Sequence, residues 1–290
     1  MFNNFVSKIN ILRVLVFSLL ILLITSLSST FKPTTQVVFC DVGQGDGIYI
    51  RTEDGIDVLI DAGTGSQILQ CLGKYMPFYD REIELTFISH PQKDHFGGYL
   101  YVIGRYKINT LVTIPVENQT SSYKQLAKKI SHNNISLEYL FSDDTIDVGK
   151  SSHITFFWPT HEIIERKSRV KNLNDFSQVF LFSQGDVDIL FTGDASPDVL
   201  HELIKGEDLS SAHIEILKIP HHGSKNGLTN EFLQVIQPQL SVISVGSNNQ
   251  YGHPSKEVIR ILEQAGSPFV STAMEGDIIL SIDDQGWKRK

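Results

Sequence analysis

The amino-acid sequence predicts an α/β fold in which two mixed sheets are sandwiched between helices. Three observations carry that expectation. Strand-like runs alternate with helical patterns from residue 36 to the C-terminus, as layered α/β architectures require. The first three runs stand too close together for crossover helices, so they should form an antiparallel meander. The later runs are spaced by helical stretches, which allows parallel pairing. With 290 residues, 41% of them hydrophobic, the chain can bury one large core or two small ones, and the unbroken alternation favours one domain.

In chain order the strands fall at 37–42, 48–51, 58–60, 85–89, 111–114, 154–158, 179–182, 189–191, 214–219, 240–245 and 278–282. Each is a short run dominated by Val, Ile, Leu or Phe. Helical patterns fill 67–79, 99–106, 122–132, 197–205, 230–236 and 255–264. No internal repeat or low-complexity tract interrupts them.

The N-terminus has its own character. Lys8 and Arg13 precede an apolar run over 14–24, and Thr25-Ser26-Leu27-Ser28-Ser29 follows. A basic flank, an apolar run and a small polar tail describe a secretory signal or a signal anchor. The run is short against the ~20 residues of a spanning helix, unless 9–27 is counted and Arg13 snorkels. No Ala-x-Ala cleavage site is present, although Ser26-Leu27-Ser28 could serve, and an uncleaved anchor is preferred. Basic residues ahead of the run place the N-terminus in the cytoplasm and the remainder outside: a single-pass membrane protein, or a secreted one if cleaved. A buried N-terminal helix is disfavoured because the run is apolar on every face. The expected map is a signal anchor or signal peptide at 1–29, a linker at 30–36 and a catalytic domain at 37–285.

A net charge of −8 advertises no general polyanion-binding face, although metal ligands could account for part of the acidity. Cys40 and Cys71 either pair or serve as small core residues, and the core reading is preferred.

The most informative stretch is Phe87-Ile88-Ser89-His90-Pro91-Gln92-Lys93-Asp94-His95-Phe96-Gly97-Gly98. Two imidazoles and a carboxylate follow an apolar run and precede a glycine pair. A strand end can aim such groups at one point, and glycines let the backbone pass close beneath; that combination builds metal sites. Other strands end in similar groups: Asp61-Ala62-Gly63, Thr192-Gly193-Asp194, His221-His222-Gly223-Ser224, and Tyr251-Gly252-His253-Pro254 after 240–245. Open α/β sheets gather ligands at strand ends.

The order of these motifs resembles the metallo-β-lactamase fold, an αββα sandwich. More narrowly, it is similar to the extracytoplasmic hydrolase domain of ComEC-type DNA-uptake proteins. Asp41-Val42-Gly43-Gln44-Gly45-Asp46 matches the opening of that domain and Leu59-Ile60-Asp61-Ala62-Gly63 follows. Then come the loop at 90–98, Asn174-x-x-Ser177, Thr192-Gly193-Asp194, His221-His222-Gly223-Ser224, Ser244-Val245-Gly246 and Glu275-Gly276-Asp277-Ile278. The match covers roughly 36–283 and leaves out the membrane helices of the full transporter.

The resemblance implies a divalent ion, Zn or Mn, held by Asp94, His95 and one histidine of the 221–222 pair, with His221 chosen from the usual order of the motif. Asp194 would bridge to a second ion that His90 also ligates. Water activated by the ions would be the nucleophile, and Asp94 would help to hold it. Gln92 and Asn174 occupy positions where the superfamily has stronger ligands; an amide oxygen is a weak donor, so the second ion should bind weakly or favour Mn over Zn. Whichever of His221 and His222 does not ligate should contact substrate or pack. His253 is assigned to substrate or leaving-group protonation. Asp41, Asp46 and Asp61 should organise the loops beneath the ligands.

Ser224 and Lys225 offer a phosphate seat after the paired histidines. Arg166, Lys167, Arg169 and Lys171 form a basic run before Asn174 that could guide a polyanion. His132, His153, His161, His201 and His213 lack partners at ligand spacing and are read as surface residues.

The implied activity is cleavage of phosphodiesters, single-stranded DNA first, by an outward-facing membrane-tethered enzyme, with a separate membrane channel as a candidate partner. The alternatives are a hydrolase of small esters, thioesters, lactones or phosphocholine-type phosphodiesters, and a metal-depleted DNA- or partner-binding module.

Overall fold

Period-two alternation in the first strands sets up two layers of core at once. The structure, a computed structural model, describes residues 13–19, 33–167, 172–206, 209 and 212–290. Strands β1 (Thr35–Phe39), β2 (Ile48–Arg51) and β3 (Asp57–Ile60) form the expected antiparallel meander, with Ile50 opposite both Val37 and Val58. Val37, Phe39, Ile48, Ile50, Val58 and Ile60 point to one face, while Val38, Tyr49 and Leu59 point to the other. Both faces are therefore buried, one against a second sheet and one against helices.

Strands β4 (Glu82–Phe87), β5 (Lys107–Thr113) and β6 (Ser136–Tyr139) extend this sheet in parallel. Crossover segments that include the helices Ile68–Tyr75 and Ser121–His132 make that pairing possible. A second antiparallel meander follows in β7 (Thr145–Val148), β8 (Ser152–Trp158), β9 (Val179–Gln184) and β10 (Val187–Phe191). Parallel strands β11 (Ile216–Lys218), β12 (Leu240–Ile243) and β13 (Phe269–Ser271) complete the second sheet. The chain then returns to the first sheet as β14 (Ile278–Asp283) and β15 (Gly286–Arg289). The two orders are β15-β14-β1-β2-β3-β4-β5-β6 and β13-β12-β11-β10-β9-β8-β7.

The two mixed sheets and their flanking helices are the fold class expected from the sequence. Between the sheets the core is aromatic: Phe87 stacks on Phe180 with ring centroids 5.1 Å apart, and Phe156 and Phe191 close around them. Truncating such a fully buried Phe to Ala costs about 3–5 kcal/mol.

Several boundaries differ from expectation. The first strand opens at Thr35, inside the expected linker, and the last ends at Arg289. The helix expected to run to residue 79 stops at Tyr75, because Pro77 biases Met76 to extended backbone. Cys40 and Cys71 form a disulfide with Cα atoms 5.9 Å apart, which corrects the reading of both as merely small core residues. They are buried as well; the helix carrying Cys71 lies over the end of β1, so burial brings the two thiols together.

Residues 35–290 form one unit and 1–34 another. In the latter, residues 13–19 are helical with exposed side chains. Among the described residues no helix is long and apolar enough to cross a membrane. The expected signal anchor at 1–29 falls mostly on 1–12 and 20–29, outside the described residues.

Candidate metal centre

The first sheet supplies its share of the site from the ends of β3 and β4. Asp61 takes a left-handed backbone conformation (φ 55°) directly after β3. Its Oδ1 accepts from the Ser89 backbone N–H at 2.8 Å and its Oδ2 from the Ser89 hydroxyl at 2.7 Å. The same Oδ2 lies 2.7 Å from His95 Nδ1. That contact puts the proton on Nδ1 and turns the Nε2 lone pair away from Asp61, the usual way a carboxylate orients a ligating histidine. His95 rides on the short helix Lys93–Phe96, and the backbone beneath is tight. A Cβ on Gly45 would lie 1.7 Å from the Asp94 carbonyl oxygen, and one on Gly98 would lie 1.9 Å from that of Ala62. Glycine is required at both positions.

The second sheet contributes from β10 and β11. Asp194 follows β10, is 1% exposed, and donates its backbone N–H to Ser177 Oγ at 2.8 Å. After β11 the turn Pro220–Gly223 places His221 (φ 50°) and His222 (φ 54°) in successive left-handed conformations. Such strain costs about 1–3 kcal/mol per residue and concentrates at functional sites. It splays the two rings to 79°. His222 points inward, with Nδ1 3.1 Å from the Ser244 carbonyl oxygen and 3.2 Å from Asp46 Oδ1. His221 stays a quarter exposed, 3.8 Å from Asp194 Oδ2.

Asp94, His95, Asp194 and His222 therefore each offer a ligand atom to one point, all within 4.8 Å of one another. The structure brings His222 into this group and leaves His221, the expected member of the pair, outside it. The cause is the left-handed turn, which motif order does not reveal. His95 Nε2 and His222 Nε2 approach Asp194 Oδ1 at 3.3 and 3.4 Å, but without hydrogen-bond geometry. Those three atoms and His90 Nε2 are buried and have no hydrogen-bond partner. Orphaned buried lone pairs normally cost stability, so their convergence fits a cation. Two imidazoles and two carboxylates suit Zn²⁺ or Mn²⁺.

Electrostatics points the same way. Against the penalty of burial, Asp194 and Asp61 hold the His95 imidazole well above 6.5, and Asp194 and Asp46 do the same for His222. Against the same penalty, His222 and His95 hold the Asp94 and Asp194 carboxyls below their ordinary value. The pocket stabilises positive charge in its midst.

His90 lies beside this group, with its ring centroid 4.2 Å from that of His95. Burial and then the charge of His95 push it down to about 3, so it is neutral. A second ion would need ligands on this side, and the fit is poor. Gln92 Nε2 donates to Asn174 Oδ1, and Asn174 Nδ2 sits 3.3 Å from His221 Nδ1. The two amides satisfy each other, leaving His90 and Asp194 as the stronger donors there.

The remaining expected residues divide. Asp46 is buried at the site, whereas Asp41 is exposed and accepts from the Gly43 N–H at 3.1 Å, shaping its loop. His253 lines the mouth with its Nδ1 buried and unpartnered. Ser224 is no free phosphate seat: it is buried, its N–H donates to His221 O at 2.7 Å, and its hydroxyl accepts from Asn226 N. Lys225 is exposed. Arg166 pairs with Glu162 at 2.5 Å and Lys167 donates to Pro115 O at 2.8 Å, so both engage their own chain. Arg169 and Lys171 lie outside the described residues.

One residue escaped the sequence reading. Lys218, 1% exposed at the end of β11, ion-pairs with Asp46, donates to Gly193 O at 2.8 Å and stands 3.9 Å from Asp194 Oδ1. It matches the charge of the carboxylate that touches His222. A lysine inside the apolar run Ile216-Leu217-Lys218-Ile219 was the available signal.

Above these groups opens a pocket of about 480 Å³, lined by Gln92, Lys93, Asp94, His222, Tyr251 and His253 among others. The site spans the ends of two mixed sheets, and solved structures settle what that architecture is. The metallo-β-lactamase fold protein YhfI of Bacillus subtilis superposes with a TM-score of 0.56 at 13% identity, covering 86% of this chain and 99% of that one. This is a metallo-β-lactamase fold. Two further solved structures that superpose on this chain differ from each other in what their names describe. One is CmlA, a diiron β-hydroxylase of Streptomyces venezuelae (TM-score 0.51, 14% identity, 81% of this chain and 52% of that one). The other is Zn²⁺-bound PqqB of Methylobacterium extorquens (TM-score 0.51, 11% identity, 82% and 97%). The fold therefore names no reaction.

Sequence relatives bear out the resemblance to competence proteins. Recombination protein 2 of Haemophilus influenzae is 28% identical over 93% of this chain and 32% of its own length. ComE operon protein 3 of Bacillus subtilis is 24% identical over 84% and 32%. Competence protein ComA of Neisseria gonorrhoeae is 22% identical over 87% and 33%. This metallo-β-lactamase-fold chain thus spans about a third of the length of these relatives. No family model matches it.

Proposed function

We propose that this domain is a metal-dependent hydrolase of phosphodiesters, with single-stranded DNA as its foremost substrate. The observation that carries the proposal is the convergence of Asp94, His95, Asp194 and His222 on one point beneath an open pocket. These four residues would hold one divalent ion, which when bound supplies Lewis acidity and lowers the pKa of water. The rest is the work of the chain. Asp61 and Ser244 fix the tautomers of His95 and His222. Lys218 and Asp46 neutralise each other beneath the ligands. Asp94, a third exposed, is the most exposed of the four, lines the pocket, and can orient an attacking water. Burial, His221 and His222 hold His253 below its ordinary range, and its place at the pocket mouth keeps it within reach of a substrate or leaving group. The intact cluster argues against a metal-depleted binding module.

The DNA substrate rests on the competence-protein relatives, and the exposed Lys93 in the pocket supplies a cation for a phosphate. The test is hydrolysis of single-stranded DNA, bis-p-nitrophenyl phosphate and simple esters with Mn²⁺ or Zn²⁺, beside Asp94→Ala. Metal-dependent cleavage of the phosphodiesters, lost in the variant, is expected. Cleavage of esters alone would refute it.

Placement outside the cell is part of the proposal. The Cys40–Cys71 disulfide supports it, because such bonds persist in oxidising compartments, and so does the apolar run at 14–24 behind Lys8 and Arg13. Alkylation of acid-quenched, denatured protein taken from cells should reach neither cysteine until a reductant is added; free thiols before reduction would contradict it.

A further inference from the structure

From the geometry of the pocket rim we infer that Tyr251 is a stacking platform for a nucleobase of the substrate. The inference rests on the phosphodiester reading above and adds how the strand is gripped. Four rings run outward from the metal cluster. His222 meets His221 edge to face at 6.1 Å, and His221 meets His253 edge to face at 6.0 Å. His253 stacks on Tyr251 at 5.9 Å with an interplanar angle of 18°. The series begins on a buried ligand and ends on a ring that is 73% exposed.

Tyr251 earns no stability from burial, yet its loop is firmly shaped. Asn249 Nδ2 donates to the carbonyl oxygens of Gly246 and His253, and Asn249 Oδ1 accepts from the His253 N–H at 2.8 Å. The clasp holds the loop that carries Tyr251, whose exposed ring lines the pocket. A planar aromatic surface near a cation and a metal cluster matches a group that is itself planar and joined to a phosphate. A base lying on Tyr251 would lead its sugar–phosphate inward, past His253, toward Asp94 and His222, with Lys93 beside the backbone. Every base has a π-face, so this grip is blind to sequence.

The experiment measures binding of labelled oligo(dT) and of an abasic oligomer of the same length to the full chain in EDTA, where cleavage is blocked, and then cleavage of both with Mn²⁺. The variants are Tyr251→Ala and Tyr251→Phe. The wild-type protein should bind oligo(dT) about ten-fold more tightly than the abasic strand. Tyr251→Ala should lose that advantage without weakening abasic binding, and Tyr251→Phe should keep it. If wild type does not prefer bases, or if Tyr251→Ala binds oligo(dT) as wild type does, the platform is refuted. Base-dependent binding without cleavage of either strand would sink the hydrolase reading and leave the platform standing.

Discussion

Strand β3 carries an aspartate at its start and another just beyond its end, and the two ends of the sheet use them in opposite ways. Asp57 closes on itself. Tyr49 Oη donates to its Oδ1 at 2.5 Å, Arg51 pairs with its Oδ2, and its own N–H is taken by Glu84 at 2.9 Å. Every strong group has a partner, and the result is structure. Asp61 instead holds Ser89 and His95 so that the far nitrogen of the imidazole is left without a partner. Across from it, Asp194 is as buried as Asp57 but keeps an unpartnered oxygen. Burial of charge alone therefore does not mark a site. Buried lone pairs that converge and stay unused do.

The contrast can be broken at several places. The largest effect should come from Asp194→Ala, which removes a converging ligand atom. A metal centre supplies several kcal/mol of transition-state stabilisation, so hydrolysis should fall by roughly a thousand-fold and bound metal should drop in elemental analysis. Full activity in that variant would show that the convergence is incidental.

Lys218→Met takes the buried ammonium away from buried Asp46 and leaves its carboxylate with His222 alone within 3.2 Å among the described residues. It should cost about 3–5 kcal/mol in urea unfolding, and adding Asp46→Asn should restore part of the loss. No difference between single and double variants would contradict the pairing.

Asp61→Asn keeps the shape but weakens the hold on His95 Nδ1. Metal affinity should fall about 10–100-fold, read by competition with a chelating dye, while the fold is retained.

The smallest effect belongs to the structural end. Burial, outweighing Tyr49 and Arg51, raises Asp57 from 3.8 to about 6. The folded state thus binds this proton more tightly than the unfolded chain. The stabilisation is present below about pH 4 and is lost as pH rises through about 6. The stability difference between wild type and Asp57→Asn should change across that window and nowhere else, and metal binding should be untouched.

Much of this arrangement is legible in the residues. His90, Asp94, His95 and Asp194 follow apolar runs, and strand ends collect ligands whatever the details of packing. The edge strands β6, β7, β13 and β15 went unread because they carry no long apolar run; Ser136–Tyr139, for one, is exposed throughout. The disulfide joins residues 31 apart and depends on a helix crossing the end of β1, which spacing does not reveal. The choice of His222 over His221 is made by two left-handed backbone conformations. Lys218 hides in a strand because its partners, Asp46 and Asp194, come from elsewhere in the chain.

The central claim is that one side of the site holds an ion and the amide side, where Gln92 and Asn174 bond to each other, does not. Titration of metal-free protein with Mn²⁺ and Zn²⁺, followed by calorimetry, tests it most directly, with Gln92→His/Asn174→His as the companion. Wild type should take up one tight equivalent, and the double variant should gain a second. Two equally tight equivalents in the wild-type chain, or none, would contradict the account.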